Sequence, residues 1–364
     1  MKTNQSKRFQ IVLFLITCLF VVIAWYATWK KQTQPVVEQR LLFGRTMGTR
    51  YSVRFFGAIS PDELEALYVQ LETELARVNH SMSTYRPDSE ITAFNRAKTT
   101  NAIAISDSFQ QVLTEAQRVA RETGGAFDPT VARLVNLWGF GPEGRITNAP
   151  GDAQIRQAQQ ACGWQHIELK QNSIIKHRPD LQLDLGGIAK GYGVDRLAAL
   201  LTEDGFTNYV VEIGGETRAS GRKPDGSLWR IGIQKPHYLA TPGDKLVGIA
   251  TVTDRSIATS GDYQNFFTDG TGTIYSHIID PRTGRPAGHT TAGVTVVAES
   301  CATADAFATA LYVMGPEEGL AFVEKNPDLE ALFVVRMPNQ KFRRVASSGF
   351  DRITGFSAHA QSNE

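Results

Sequence analysis

The chain has 364 residues, 42% hydrophobic and 21% charged, with 38 basic against 37 acidic side chains and a formal net charge of +1. That length can bury the core of one large or two modest domains. The balanced charge excludes a bulk electrostatic case for nucleic acid as a partner. The three cysteines show no metal-site spacing, and Cys162 and Cys301 read as buried thiols.

Lys2, Lys7 and Arg8 precede an apolar run from Ile11 to Trp29. Residues 1–10 therefore read as a basic cytoplasmic N-terminus, 11–29 as a transmembrane anchor and 30–40 as a polar linker. Trp25, Tyr26 and Trp29 sit at the far end of the run, as interfacial aromatics do. A cleaved signal peptide and a lipid on Cys18 are the rival readings. The run continues past Cys18, which suits an uncleaved anchor better.

Residues 41–350 read as one mixed domain and 351–364 as a flexible tail. Tyr51, Val53 and Phe55 alternate as in a strand over 50–56. Ser60-Pro61-Asp62-Glu63 is a capping box with Pro at the first helical position. Leu64, Leu67, Leu71, Leu75 and Val78 then form one helical stripe. Further helices are expected over 108–123, ended by Gly124-Gly125, over 152–162, and from Ala189. Strands follow over 209–213, 229–234, 246–253, 274–279 and 293–297. Helices over 302–314 and 316–324 and a strand over 329–335 close the pattern. Strands come in runs joined by short turns, which predicts an α+β fold with mostly antiparallel sheets and packed helices.

Three segments carry candidate chemistry. In Leu183-Asp184-Leu185-Gly186-Gly187-Ile188-Ala189-Lys190, bare backbone opens a helix beside an ammonium, an arrangement suited to phosphate. A glycine carbonyl in the turn could also face a metal; a tight turn with an exposed lysine is the plainer reading. Asp305 and Thr309 share a helix face at i and i+4, and carboxylate plus hydroxyl suits Mg²⁺. Dipole compensation by the Asp and back-bonding by the Thr explain the same pair. His277, in a strand before Asp280-Pro281-Arg282-Thr283-Gly284, is a candidate base or a structural histidine. Tyr85 offers a ring for stacking or simply packs. Ile257–Tyr263 and Val211–Glu216 read as small-residue turns. Walker, Rossmann, G-x-S-x-G and H-E-x-x-H fingerprints are absent.

Taken in order, Met47-Gly48-Thr49, Ser83-Thr84-Tyr85, Gly125-Ala126-Phe127-Asp128, the 183–192 run, 211–216, 257–263, 275–284 and 305–309 resemble the ApbE family of FAD:protein FMN transferases. The resemblance implies Mg²⁺-dependent transfer of the FMN moiety of FAD to a Thr or Ser hydroxyl, releasing AMP. It implies FAD contacts at Met47, Tyr85, Ala126, Phe127, Asp128, Asp184 and Lys190, and at Ser260 or Gly261. The Gly187 carbonyl, Asp305 and Thr309 match the family's Mg²⁺ site, and His277 matches a histidine acting on the incoming hydroxyl. Implied acceptors carry a Ser/Thr-Gly-Ala-Ser/Thr-like motif, as in subunits of Na⁺-translocating NADH:quinone oxidoreductase or Rnf complexes. With the anchor, this implies a bacterial inner-membrane protein with its catalytic domain on the periplasmic side. An FAD pyrophosphatase giving FMN and AMP, and a non-catalytic FAD-binding membrane protein, are the alternatives.

Overall fold

The computed structural model describes residues 15, 17–26, 38–237, 245–288, 290–338 and 341–358. The chain divides into two compact units, Met1–Glu38 and Gln39–Glu364. In the first, residues 15 and 17–26 are helical, and Leu19, Phe20, Val21, Val22, Ile23 and Trp25 are exposed. Among the described residues no helix is long and apolar enough to cross a membrane. The predicted anchor over 11–29 lies partly outside them, at 11–14, 16 and 27–29.

The second unit opens with a hairpin of β1 (Gln39–Thr46) and β2 (Thr49–Phe56), with Thr46 opposite Thr49. Its turn residues, Met47 at φ 48° and Gly48 at φ 72°, are both left-handed. Two-residue hairpin loops require that geometry to match the twist of the strands. The sequence reading misses β1 because Leu41, Leu42 and Phe43 run together without alternation. As an edge strand it leaves Leu41 and Phe43 exposed.

Helix α1 (Pro61–Met82) starts at the predicted capping box, with the Glu63 amide donating to Ser60 Oγ and the Ser60 amide to Glu63 Oε2. A short α2 (Glu90–Arg96), not expected from sequence, follows an Ser89 cap. Next come β3 (Ile103–Ala104), α3 (Asp107–Glu122), α4 (Ala132–Leu137) and α5 (Asp152–Gln160). Strands β4 (Ile167–Lys170) and β5 (Ser173–Lys176) lead to α6 (Ala189–Glu203), β6 (Tyr209–Ile213), β7 (Glu216–Ser220) and β8 (Trp229–Gln234). Then follow β9 (Leu246–Val252), β10 (Arg255–Gly261), β11 (Phe266–Thr268), β12 (Ile274–Ser276), β13 (Ile279–Asp280) and β14 (Arg285–Pro286). The chain ends with β15 (Thr291–Ala298), α7 (Cys301–Val323), β16 (Glu330–Arg336), β17 (Phe342–Ala346), α8 (Phe350–Thr354) and β18 (Ser357–Ala358).

An eight-stranded sheet in the order β1-β2-β6-β7-β10-β15-β16-β17 forms the centre, antiparallel at every pairing. This is the predicted α+β class. Alternating side chains commit each strand to two layers. Val211, Ala258, Val296 and Phe333 face the helices, with Leu71 of α1, Val194 of α6 and Phe307 of α7 among the packed residues. Their neighbours Val210, Ile257, Val297 and Leu332 face a small sheet of β18, β9 and β8. All of β15 is consequently buried, as expected of a strand covered on both faces.

Three expectations need correction and a fourth holds. The segment read as a small-residue turn at 257–263 is mostly the central strand β10, where small residues admit close helix packing. The strand expected over 274–279 breaks after Ser276, so His277 lies in a bend between β12 and β13. The helices expected at 302–314 and 316–324 are both present within α7, separated by the non-helical backbone of Gly315 (φ 78°) before Pro316. The tail placed at 351–364 is ordered structure as far as Ala358: α8 packs by Phe350, and β18 pairs with β9. Residues 359–364 lie outside the described residues.

Phe350 is fully buried. Phe350→Ala is expected to cost about 3–5 kcal/mol, read as a lower urea midpoint. An unchanged midpoint would show that the segment adds nothing to the core.

Candidate active site at a helix crossing

Helices α6 and α7 cross at Gly191. A Cβ there would lie 2.3 Å from the Cys301 carbonyl oxygen and 2.8 Å from Ala302 Cα, so only glycine permits this approach. Each helix then supplies a carboxylate to the other's backbone. Asp195 of α6 accepts from the Cys301 amide at Oδ1 and the Ala302 amide at Oδ2, both at 2.9 Å. Asp305 of α7 accepts from the Gly191 amide at 3.0 Å through Oδ2. Free amides at both helix starts are thereby satisfied.

The crossing aims functional groups at one place. Thr309, one turn after Asp305, has its Oγ1 3.2 Å from Ser260 Oγ at the end of β10. That same Oγ1 is 2.8 Å from where a Gly187 Cβ would stand, and Phe127 Cε2 is 3.3 Å from it. Lys190 Nζ is 2.5 Å from Glu216 Oε1 and 3.9 Å from Asp305 Oδ1. Asp305, Thr309, Gly187, Lys190 and Ser260, all expected from sequence, are brought together, with Phe127 behind them.

A second group adjoins the first. His277 Nδ1 is 3.0 Å from the Asn265 carbonyl oxygen, which also accepts the His277 amide at 3.1 Å. A carbonyl cannot donate, so Nδ1 carries the proton and Nε2 is left as an acceptor. Arg145 donates to Asn265 Oδ1 at 2.8 Å, and its guanidinium lies over the Phe140 ring. Tyr85 donates to the Phe140 carbonyl oxygen at 2.9 Å, leaving its ring 69% exposed, a platform anchored at its far end.

The other expected residues play quieter parts. Met47 packs at the hairpin tip against Gly193 of α6. Ala126 is core. Both Asp128 oxygens are occupied, by the Thr130 amide and hydroxyl at 2.8 and 2.6 Å and by the Trp164 amide at 3.1 Å. Asp128 thus acts here as a loop clamp. Asp184 accepts from the Gly186 amide at 2.7 Å and shapes the turn before α6. Gly261 turns inward, its Cβ position filled by the Tyr263 ring and the Ala292 carbonyl oxygen.

Burial governs the electrostatics. It pushes the Asp305 and Asp184 carboxyls up, against the Lys190 charge and the Gly191 amide at the first and the Gly186 amide at the second. Burial also drives Glu216 up to about 7, opposed by Lys190 and reinforced by Asp305. Burial disfavours the Lys190 ammonium, yet Asp305 and Glu216 together outweigh it and hold Lys190 above its ordinary value. His277 falls to about 4, chiefly through burial, with Lys190 and Arg145 adding repulsion. Burial and the Asp184 charge push Tyr85 up. Tyr85, Asp184, Arg145, His277, Lys190 and Asp305 therefore share one field.

Among the described residues, no three His, Cys, Asp or Glu side chains gather to hold a metal unaided. A cation here would draw on one carboxylate, a hydroxyl, a glycine carbonyl and oxygens of a bound ligand, the mixture that suits Mg²⁺ with phosphate. The buried, upshifted Asp305 fits such a role, since a buried carboxylate requires a counter-charge. Sequence reasoning assigned no role to Glu216, Arg145 or Asn265. Glu216 closes the 211–216 segment, while Arg145 and Asn265 find their partners far away in sequence and leave no local signal.

Oxygen donors beside an ammonium, on an antiparallel α+β scaffold, define a protein built to handle phosphate groups. The profile described as the ApbE family matches residues 47–333. The FAD:protein FMN transferase of Vibrio cholerae is 42% identical over 313 residues, covering 86% of this chain and 92% of that protein. That of Haemophilus influenzae is 40% identical over 321 residues, covering 86% and 91%. The solved structure of flavin transferase ApbE from Vibrio cholerae superposes with a TM-score of 0.79 at 42% identity, over 87% of this chain and 99% of that one. The apo form of Pseudomonas stutzeri flavinyl transferase ApbE gives 0.77 at 36% identity, over 88% and 98%. This chain belongs to the ApbE family.

The neutral His277 can be read directly. In an NMR titration of the 7 histidines, the ring signal lost in His277→Gln should titrate near pH 4. A midpoint at or above the ordinary histidine value of about 6.5 would refute the neutral ring.

Proposed function

We propose that this chain is an FAD:protein FMN transferase, joining the FMN half of FAD to a Thr or Ser hydroxyl of an acceptor protein and releasing AMP. Relatives of that name match over most of its length. The observation that carries the reading is the convergence of Asp305, Thr309, Gly187 and Lys190 beside an anchored histidine.

Magnesium held by Asp305, Thr309 and the Gly187 carbonyl would neutralise charge on the pyrophosphate. Lys190 sets a fixed positive charge against the same phosphates. The exposed Tyr85 ring takes the flavin, and Met47, Ala126, Phe127, Asp128, Asp184, Ser260 and Gly261 shape or line the rest of the nucleotide site. The acceptor oxygen bonds to the phosphorus of the FMN half as the pyrophosphate P–O bond breaks. The departing electron pair leaves with AMP, and the hydroxyl proton passes to Nε2 of His277, which is neutral near pH 7.

We assign residues 11–29 to an anchor in the bacterial inner membrane, with the catalytic unit on the periplasmic side. The support is sequence hydropathy and the exposure of five consecutive apolar or aromatic residues at 19–23. Successive helical residues step around the axis, so an apolar surface faces every side, as lipid requires. Acceptors in this compartment include subunits of Na⁺-translocating NADH:quinone oxidoreductase or Rnf type, with a Ser/Thr-Gly-Ala-Ser/Thr-like motif.

The test is to incubate the protein with FAD, Mg²⁺ and an acceptor domain carrying that motif, then weigh the acceptor. A gain equal to FMN minus water, lost with EDTA, is expected. Free FMN and AMP with an unmodified acceptor would favour pyrophosphatase, and intact FAD a binding protein. Asp305→Ala is expected to abolish Mg²⁺-dependent turnover. His277→Ala should slow transfer by about 10²–10⁴-fold with FAD binding retained, and equal loss of both would remove His277 from the chemistry.

A further inference from the structure

Glu216 is the group the mechanism leaves unexplained. It opens β7, Lys190 lies on α6 and Asp305 on α7, so three separate elements converge on one ammonium. The side chains of Glu216 and Asp305 are 3% and 4% exposed, that of Lys190 29%. Glu216 Oε1 holds Lys190 at 2.5 Å. Glu216 Oε2 is buried and has no hydrogen-bond partner among the described residues. A buried carboxylate oxygen left unpaired is costly, and one kept in a native structure calls for a functional explanation.

Lys190 also stands 3.9 Å from Asp305 Oδ1, the carboxylate assigned above to the cation. An ammonium and a dication on one carboxylate repel each other strongly where water is excluded. The lysine stem is flexible and its ammonium carries three donors. It can move off Asp305 without leaving the site if another acceptor is ready.

We propose that Glu216 is a positioning residue that draws the Lys190 ammonium off Asp305 when a divalent cation binds, its free Oε2 taking a second ammonium hydrogen. Asp305 is then released to the metal, and Lys190 stays beside the phosphates. Without the Glu216 charge, Asp305 is the remaining carboxylate partner of Lys190, and the ammonium competes with the cation. The proposal rests on the Mg²⁺ reading above.

The experiment is a Mg²⁺ titration of the full-length protein at saturating FAD, with melting temperature as the readout, since a bound ion raises it by linkage. Glu216→Gln keeps the shape and removes the charge. It should raise the half-saturating Mg²⁺ by about tenfold, within the usual coupling range of neighbouring charged groups. In a Lys190→Met background the same substitution should shift it less than about twofold, because the group it acts through is gone. An unchanged half-saturation in Glu216→Gln overturns the proposal. An equal shift in both backgrounds also overturns it, since Glu216 would then act as a distant charge. Glu216→Asp, which keeps the charge but draws Oε2 back, should fall between wild type and Glu216→Gln; it serves alone if Glu216→Gln does not fold, and a wild-type value then overturns the proposal. No Mg²⁺ response in the wild type would overturn the metal reading, and the proposal with it.

Discussion

The exchange of carboxylates between α6 and α7 at Gly191 is the constraint on which the site depends. Asp195 closes the start of α7 and Asp305 reaches the start of α6, so neither helix end is satisfied without the other. The approach is possible because Gly191 presents no Cβ to the Cys301 carbonyl. Two helices locked at this point fix the relative positions of Lys190, on the first turn of one, and of Asp305 and Thr309, on successive turns of the other. The large sheet below fixes the rest: Ser260 is the next-to-last residue of β10 and Glu216 begins β7, and these strands pair directly. A functional cluster from four elements is thus held by backbone contacts more than by contacts among its own members. That suits a site whose side chains must change partners.

The cost of this construction is charge in a dry place. Asp305 and Glu216 are nearly inaccessible, and one ammonium serves both. Buried ion pairs of this kind seldom stabilise a fold, because desolvation consumes the Coulombic gain. Their retention is better explained by work at the site. A cluster with two carboxylates and one ammonium has room for more positive charge, and a cation bridging to a pyrophosphate would supply it. The upward push that burial gives Asp305 and Glu216 reports the same imbalance.

Local chemistry was legible in the sequence wherever a residue's job is set by its neighbours along the chain. The Ser60–Glu63 box, the α1 stripe and the Asp305/Thr309 spacing follow from helical periodicity and appear as expected. Misreadings occur where tertiary burial overrides local pattern. β10 is rich in small residues because α7 presses on it, and in isolation those residues look like a turn. The last segment looks polar and loose, but Phe350, with Ile353 and Phe356 packed beside it, gives it a purchase on the core. Asp128 carries a job that its motif does not announce: its oxygens accept from the Thr130 and Trp164 amides and hold that loop. Arg145 and Asn265 were invisible because their meaning exists only across the 120 positions that separate them.

The two halves of the site are built differently, and the difference matches what each must do. The side with Asp305, Thr309 and Lys190 rests on two long helices and a central strand, with its carboxylates buried. The histidine side rests on the bend after β12, the segment before β11 and the loop carrying Arg145, joined by two hydrogen bonds from His277 to the Asn265 carbonyl and one from Arg145 to the Asn265 side chain. Charge stabilisation demands fixed dipoles and excluded water, which a helix crossing over a sheet provides. A macromolecular acceptor demands the opposite, an approach open to solvent. The exposed Tyr85 ring and half-buried His277 lie on that open side. Their shared tie to Phe140, through the Tyr85 hydroxyl on its carbonyl and the His277 ring 6.3 Å from its own, braces the two side chains through one residue.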